Sequence, residues 1–402
     1  MHIVNREIEG RSPGYWALLG GLGFLALLGL LAAFTMEHHG HIITGMNNQV
    51  VWGLPHVFAV FMIVAASGAL NVASIGTVFG KKFYKPMAPL SALLAIALLA
   101  GGLMVLMLDL GRADRVIVAA TYYNPKSVFA WNVLLYSGFF GFAAAYLWTM
   151  MDRTVGEYNK YAGFGAFIWR LILTTGTGSI FGFLIARQAF GSGLIAPMFI
   201  VFSLAYGTAV YLLVLFAAYG WSNRPLGDEV VRRLKNLLGI FLAASFFFVV
   251  IYHMTSLYYA KNWPFERFIL MDGGLYTVLF WLGQVLIGYV IPMILIFAPA
   301  TRANRTAMVI AAALAVLGAL AQMYVTIIGS QAFPLEIFPG YDVKSSFYDS
   351  GIHEYSPSHW ELMLGVGGLA VALAMVTFAV KILRLLPESL ADEVVSLHPA
   401  KP

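Results

Sequence analysis

Cysteine is absent from all 402 residues. Without thiolates this chain cannot itself ligate a four-cysteine iron–sulfur cluster, attach haem through C-x-x-C-H, form a disulfide or use a cysteine nucleophile. A metal-centred electron carrier must therefore rest on histidine or on another chain. Charge is scarce as well. Only 11% of residues are Asp, Glu, Lys or Arg, against roughly 25% in an average globular protein. Walker A, the Rossmann fingerprint and a Ser/His/Asp constellation are missing too. The net charge of +5 is spread over short connecting segments rather than a stripe, so nucleic acid is not an expected partner. What is abundant is apolar: 60% of the chain is hydrophobic, the composition of a membrane protein.

About 20 apolar residues cross a hydrocarbon core of roughly 30 Å. By that measure ten spans are expected, at approximately 15–36, 54–79, 87–110, 128–150, 164–186, 194–220, 236–259, 274–299, 307–329 and 361–384. The predicted fold class is an all-α integral membrane protein, one polytopic domain over 1–402. The first run lacks a small-residue cleavage site and reads as a retained helix rather than a signal peptide. The break around Arg187 to Ser192 is short enough to be a re-entrant turn. With the N-terminus inside, 17 of the 24 Lys and Arg, Arg170 among them, fall on the inner side and 7 on the outer. The positive-inside bias then places both termini in the cytoplasm.

The longest connection, 330–360, lies on the predicted outer side. Its aromatics include Phe333, Phe338, Tyr341, Phe347, Tyr348 and Tyr355, with Glu336, Asp342, Asp349 and Glu354 among them. A loop of this length is usually functional or disordered. With Pro334, Pro339 and Pro357 it suits either a lid over the helix ends or a docking surface, for which Phe333, Phe338, Tyr341, Phe347 and Tyr348 are the candidates.

Polar residues converge on the same outer side. Asp109 ends the apolar run Met87 to Leu108, in which only Ser91 is polar, and opens Asp109-Leu110-Gly111-Arg112. A carboxylate whose pKa is raised by apolar surroundings can take or give a proton near neutral pH. The alternatives are an Asp109–Arg112 ion pair or an arginine that snorkels at the interface. His56, in Trp52-Gly53-Leu54-Pro55-His56, is either a proton acceptor or bonded to a carbonyl at the helix start. Arg187, Glu361 and His253 also fall near span ends on this side, and His253 reads more readily as structural. A bis-histidine haem on His56 and His253 is conceivable, but the other histidines lie in tails and loops, and neither haem nor an iron–sulfur cluster is expected in this chain. Glu37-His38-His39-Gly40-His41 lacks a spaced fourth ligand and reads as a solvated loop more readily than a metal site. In Asn124-Pro125-Lys126-Ser127, proline gives a helix start and Ser127 can cap it; alternatively Trp131 and Asn132 line a pocket beside Asp109. Gly101-Gly102, Gly176-x-Gly178 and Gly365-x-Gly367-Gly368 read as close helix packing.

Trp52-Gly53, then Leu108-Asp109-Leu110-Gly111-Arg112, then Asn124-Pro125-Lys126-Ser127, then Trp281 through Gly288 to Pro292 stand in the order of the NrfD/polysulfide-reductase membrane-subunit family. The chain resembles that family from about Val51 to Leu373. Gly329 to Tyr341 looks most like its DsrP branch, the ten-helix quinone-linked subunits of sulfur-metabolism complexes. The resemblance implies two four-helix bundles, 53–186 and 191–329, with two flanking helices. It also implies a bacterial or archaeal cytoplasmic membrane, a menaquinone or ubiquinone site near the outer side and a docked periplasmic ferredoxin-like iron–sulfur subunit. A multihaem cytochrome c and further membrane and cytoplasmic redox subunits complete the implied set. Asp109 and Arg112 match the family string; the His56 position varies within the family. Where several relatives carry an acidic residue in the second span, Val57 to Leu70 here is apolar apart from Ser67.

The expectation is a quinone-reactive subunit with no activity alone. Asp109 and His56 are its acid–base groups, and Arg112, Ser127, Trp131 and Asn132 complete the quinone pocket. Two rivals differ in where polar groups should lie. A secondary transporter or proton-conducting subunit predicts ionisable residues near the bilayer midplane, and a structural anchor needs no such site.

Overall fold

The computed structural model describes residues 4–335 and 351–396. Within them the apolar runs become ten helices long and apolar enough to cross a membrane. In chain order these are α1 (Pro13–His39), α2 (Leu54–Thr77), α3 (Lys82–Leu108), α4 (Val128–Met151), α5 (Gly156–Gly182), α6 (Ile195–Trp221), α7 (Asp228–Tyr258), α8 (Leu275–Phe297), α9 (Arg305–Ala332) and α10 (His359–Ile382). The protein is an all-α, multi-pass integral membrane protein. Ser12 caps α1 by accepting from the Tyr15 amide, Asn304 caps α9, and Ser358 and Glu361 form a capping box at α10. Each satisfies amides that a helix N-terminus leaves without an internal partner. α5 and α7 start earlier than hydropathy alone suggests because their first turns are polar yet helical. In α7, Asp392 accepts from the Asp228 and Glu229 amides and caps those turns from outside.

Ten alternating crossings put both termini on one face, called proximal here. There β1 (Asn5–Arg6) pairs antiparallel with β2 (Leu386–Pro387). Arg224 clamps the two tails through the carbonyls of Glu7 and Leu386. The opposite, distal face carries the 40–53 connection and the starts of α2, α4, α6, α8 and α10.

α2 is the axis of the fold. It is buried over 89% of its most apolar stretch, against 22% for α1 at the rim. It packs against α3, α6 and α10; α4 packs on α5, α8 on α9, and α1 on α10. The predicted close glycine contacts are present: a Cβ on Gly101 would lie 2.5 Å from the Gly368 carbonyl, and one on Gly367 would lie 2.6 Å from Gly29 Cα. The tightest approach is between α2 and α6, where a Cβ on Gly68 would fall 1.5 Å from the Ser203 carbonyl oxygen.

At Leu70 the helical ladder of α2 is interrupted. Two side chains from neighbouring helices occupy the gap. Ser91 of α3 accepts from the Ala73 amide and donates to the Ala69 carbonyl, the two groups that an uninterrupted helix would pair with each other. Arg170 of α5 donates through Nη1 to the Ser67 carbonyl (3.0 Å) and to Asn71 Oδ1. Asn71 in turn donates to Leu204 O and Thr208 Oγ1 of α6, both at 3.1 Å. Arg170, assigned from sequence to the inner side, is therefore a mid-helix residue, 4% exposed. The correction follows from the early start of α5, which moves Arg170 deep into the span. Among the described residues it has no carboxylate partner, and its charge is spread over carbonyl and amide oxygens and the Phe167 ring 5.2 Å away.

Candidate functional site

The distal site is built on the segment that leads into α2. Gln331, in the last turn of α9, accepts through Oε1 from the Val51 and Trp52 amides, both at 3.0 Å, and donates to the Trp52 carbonyl at 3.0 Å. Arg187, between α5 and α6, donates to the carbonyls of Gln49 (2.8 Å) and Gln331 (3.1 Å). Its guanidinium is thus committed to backbone carbonyls of two other segments. Tyr355 accepts from the Leu54 amide at 2.7 Å and donates to Glu361, which also accepts from the Gly45 and Ser358 amides. Glu361 is fully buried. The start of α2 is thereby held by three other parts of the chain.

So held, the Trp52 ring stacks on His56 with centroids 6.1 Å apart. Phe129 of α4 and Phe181 of α5 stand 6.0 and 5.8 Å from it. These rings form an aromatic wall, and at its end lies Asp109. The Asp109 side chain is 1% exposed, with Oδ2 2.9 Å from His56 Nδ1 and Oδ1 3.6 Å from His41 Nε2. His41 Nε2 also lies 3.0 Å from the Asp109 carbonyl. The short His56 contact has ion-pair distance but is not aligned as a hydrogen bond, so neither carboxylate oxygen of Asp109 has an aligned donor among the described residues.

Gly111 explains the neighbouring string. At φ +72° it turns the chain through the left-handed region, and a Cβ there would lie 2.9 Å from the His41 ring. The turn carries Arg112 away from Asp109. Arg112 makes a bidentate pair with Asp114, at 2.9 and 2.9 Å, and both are exposed. The alternative of an Asp109–Arg112 ion pair is thus not what the structure shows: spacing along a helix does not apply beyond the residue where the helix ends. The expected rise in the Asp109 pKa is corrected as well. Burial is the largest single influence and raises it, but the two imidazoles together outweigh burial and hold the carboxyl below its ordinary value. The Asp109 side chain in turn raises the His41 pKa, outweighing the burial that lowers it.

The remaining expected residues make contacts other than with Asp109. Ser127 is the N-cap residue of α4, but its hydroxyl does not cap. Trp131 donates to the Pro125 carbonyl at 2.6 Å and is exposed. Asn132 is buried and joins α4 to α5 by donating to the Gly176 carbonyl at 3.3 Å. Phe333 packs on Phe265 and Phe268, within the fold. Phe338, Tyr341, Phe347 and Tyr348 lie outside the described residues. His253 has a carboxylate partner of its own, with Nδ1 2.7 Å from Glu266 Oε2, as His56 has Asp109. Of the expected histidine cluster, His38 and His39 end α1 with their rings edge to face at 5.1 Å, His38 stacked on Phe34 and His39 at the Thr35 carbonyl, while His41 turns to Asp109.

Sequence reasoning missed His41, Phe129, Phe181, Gln331 and Glu266. For Glu361, the Ser358-x-x-Glu361 spacing of a capping box was a readable signal.

The polysulphide reductase NrfD family matches residues 43–335. Over 98% of its length the chain is 28% identical to the Hdr-like menaquinol oxidoreductase integral membrane subunit of Archaeoglobus fulgidus, all of which is covered. It is 23% identical to a selenate reductase subunit of Mesobacillus selenatarsenatis, covering 89% of this chain and 91% of that one. It is 26% identical to a putative dimethyl sulfoxide reductase membrane subunit of Halobacterium salinarum, covering 91% of each.

Proposed function

This chain belongs to the polysulphide reductase NrfD family, and from that premise we propose that it is the quinone-reactive membrane subunit of a multisubunit oxidoreductase complex. The observation that carries the reading is the buried Asp109 carboxylate, with His56 and His41 on its two oxygens, at the end of the Trp52–Phe129–Phe181 wall. A quinone ring needs flat apolar walls and a few polar groups for its carbonyls, and these residues have that character. A bound quinone supplies two-electron chemistry coupled to two protons.

The chain's own part is the protons. His56, whose side chain is 16% exposed and lies against Trp52, stands between the slot and Asp109. A proton taken on its ring is stabilised by the carboxylate 2.9 Å away. Asp109 orients both imidazoles and relays the proton between them, protonated only in passing, with His56 on one oxygen and His41 on the other. His41, 31% exposed, passes the proton on to the distal surface. Ser127, Trp131 and Asn132, beside Phe129 at the head of α4, belong to the mouth of the same slot. Arg112, committed to Asp114, is left as a guard of the turn.

The relatives named above as a menaquinol oxidoreductase subunit and as reductase subunits support menaquinol as the quinone and redox proteins as partners. In this reading α2 to α5 and α6 to α9 are two four-helix bundles flanked by α1 and α10. Both termini are cytoplasmic, the distal face is periplasmic, and a ferredoxin-like iron–sulfur subunit docks there, with a multihaem cytochrome c and further redox subunits beyond it. The likeness of Gly329 to Tyr341 to the DsrP branch supports a sulfur-metabolism complex.

A photoreactive quinone analogue bound to the assembled complex tests the site. Label is expected on peptides carrying Trp52, His56, Phe129 or Phe181, displaced by excess quinone. Label confined to a partner subunit makes this chain an anchor instead. Replacing Phe338, Tyr341, Phe347 and Tyr348 together by serine tests docking: the iron–sulfur partner is expected to dissociate, and full retention overturns that part.

A further inference from the structure

A second polar site lies among α6, α7, α8 and α9, apart from the Asp109 site. A cavity there has room for water centres of about 30 Å³, lined by His253, Gln284, Gln322, Thr326 and Ser330 among apolar neighbours. Gln284 is fully buried, and neither its amide nitrogen nor its oxygen has a partner among the described residues. Gln322 reaches Thr326 Oγ1 at 3.1 Å and faces the Tyr289 hydroxyl at 3.5 Å. Beside the cavity, Glu266 is fully buried, with one oxygen 2.7 Å from His253 Nδ1 and the other without a partner among the described residues. The helices around it are irregular in the same way: Leu279–Val290, which carries Gln284, and Val325–Gly329, which carries Thr326, are both π-helical. Widened turns of this kind are rare and recur at functional sites.

An unpaired buried amide costs about 1–3 kcal/mol, and a polar cavity stays dry only if it is too small for water. This one is roomy enough to admit water. We propose that the cavity is a hydrated acid–base site, in which water bridges the Gln284 amide to the Gln322–Thr326 pair and to His253, and the His253–Glu266 pair holds one exchangeable proton. The proton arrives on cavity water as hydronium: one of its O–H bonds breaks as the bond to the pair forms, water is left behind, and release is the reverse. The groups that face Glu266 are His253 and Tyr252 of α7. Its chain neighbour Arg267 turns outward to Asp272, 2.7 Å away.

Infrared difference spectra of the purified full chain, taken between acid and alkaline pH in H₂O and in D₂O, test this without any quinone. A carboxyl signal that titrates and shifts in D₂O is expected in the wild type. It should be lost in Glu266→Gln and kept in Asp109→Asn, which separates this site from the quinone reading. Gln284→Leu, which removes the amide that fixes the water, should shift the signal by changing its hydrogen bonding. Spectra of wild type and Glu266→Gln that coincide overturn the proposal, as does a Glu266 carboxyl that does not exchange with D₂O. Should Glu266→Gln fail to assemble, an unshifted signal in Gln284→Leu overturns it equally.

Discussion

Gln331 grips Trp52 by both ends of its peptide, accepting from its N–H and donating to its C=O. A side-chain amide is suited to this because it offers one acceptor and two donors in a fixed plane. Trp52, proposed above as a wall of the quinone site, is thus positioned from α9, far away in sequence. Gln331→Ala should leave the helices assembled but loosen that wall. Affinity for a quinone analogue is expected to fall by about tenfold, or ~1.4 kcal/mol, measured by titration of the purified complex. Unchanged affinity would detach Trp52 from the slot.

Asp109→Asn keeps shape and removes charge. Quinone turnover by the assembled complex should drop by ~10²-fold or more, the scale of general acid–base help. His56→Ala should cost turnover as well, though less. Arg112→Lys, beside exposed Asp114 rather than Asp109, should change stability by less than about 1 kcal/mol and leave turnover near wild type. Steady-state assays on the three variants rank the groups directly; a dead Arg112→Lys would return that residue to the chemistry.

The site also sets a pH dependence. The folded-state pKa of His41 is raised above 6.5, so its contribution to stability is complete below that value and is lost as pH rises through the higher folded pKa. Asp109 behaves in the opposite sense: lowered from 3.8, it contributes above that value and loses its contribution only as pH falls through its lower folded pKa. Thermal unfolding of wild type and His41→Gln should therefore differ most in mildly acidic buffer and converge under alkaline conditions. Parallel curves at all pH values would remove His41 from the pair.

Ser91→Ala strips the hydroxyl that sits inside the α2 ladder. Because Arg170 still holds the Ser67 carbonyl, the break should persist with the Ala73 amide and Ala69 carbonyl unpaired, at a cost of about 2 kcal/mol. Arg170→Leu should be worse than Arg170→Lys, since lysine retains a donor for the Ser67 carbonyl. Denaturation midpoints in detergent check the order.

The spans were legible because hydrocarbon thickness demands long apolar runs, and Asp109 was legible because a carboxylate interrupts one of them. His41 was not, since adjacent histidines in a connection carry no periodicity, and only the fold aims one of them at Asp109. Arg112 was misplaced by helical spacing carried past the glycine that ends it. Arg170 was placed too near the surface because the polar first turns of α5 conceal how far that helix extends. Glu266 gave no signal of burial, since the charged pair Glu266-Arg267 at the end of Trp263-Pro264-Phe265-Glu266-Arg267 reads as exposed.

At Gly68 and Gly207, α2 and α6 touch main chain to main chain, and the Asn71 bonds to α6 lie one turn away. A joint without intervening side chains has no slack to take up. Rocking one half of the molecule against the other, as alternating-access carriers do, would have to part both backbones and strand the Asn71 amide. The α2–α6 seam accordingly acts as a fixed joint, one that resists sliding or parting of these two helices.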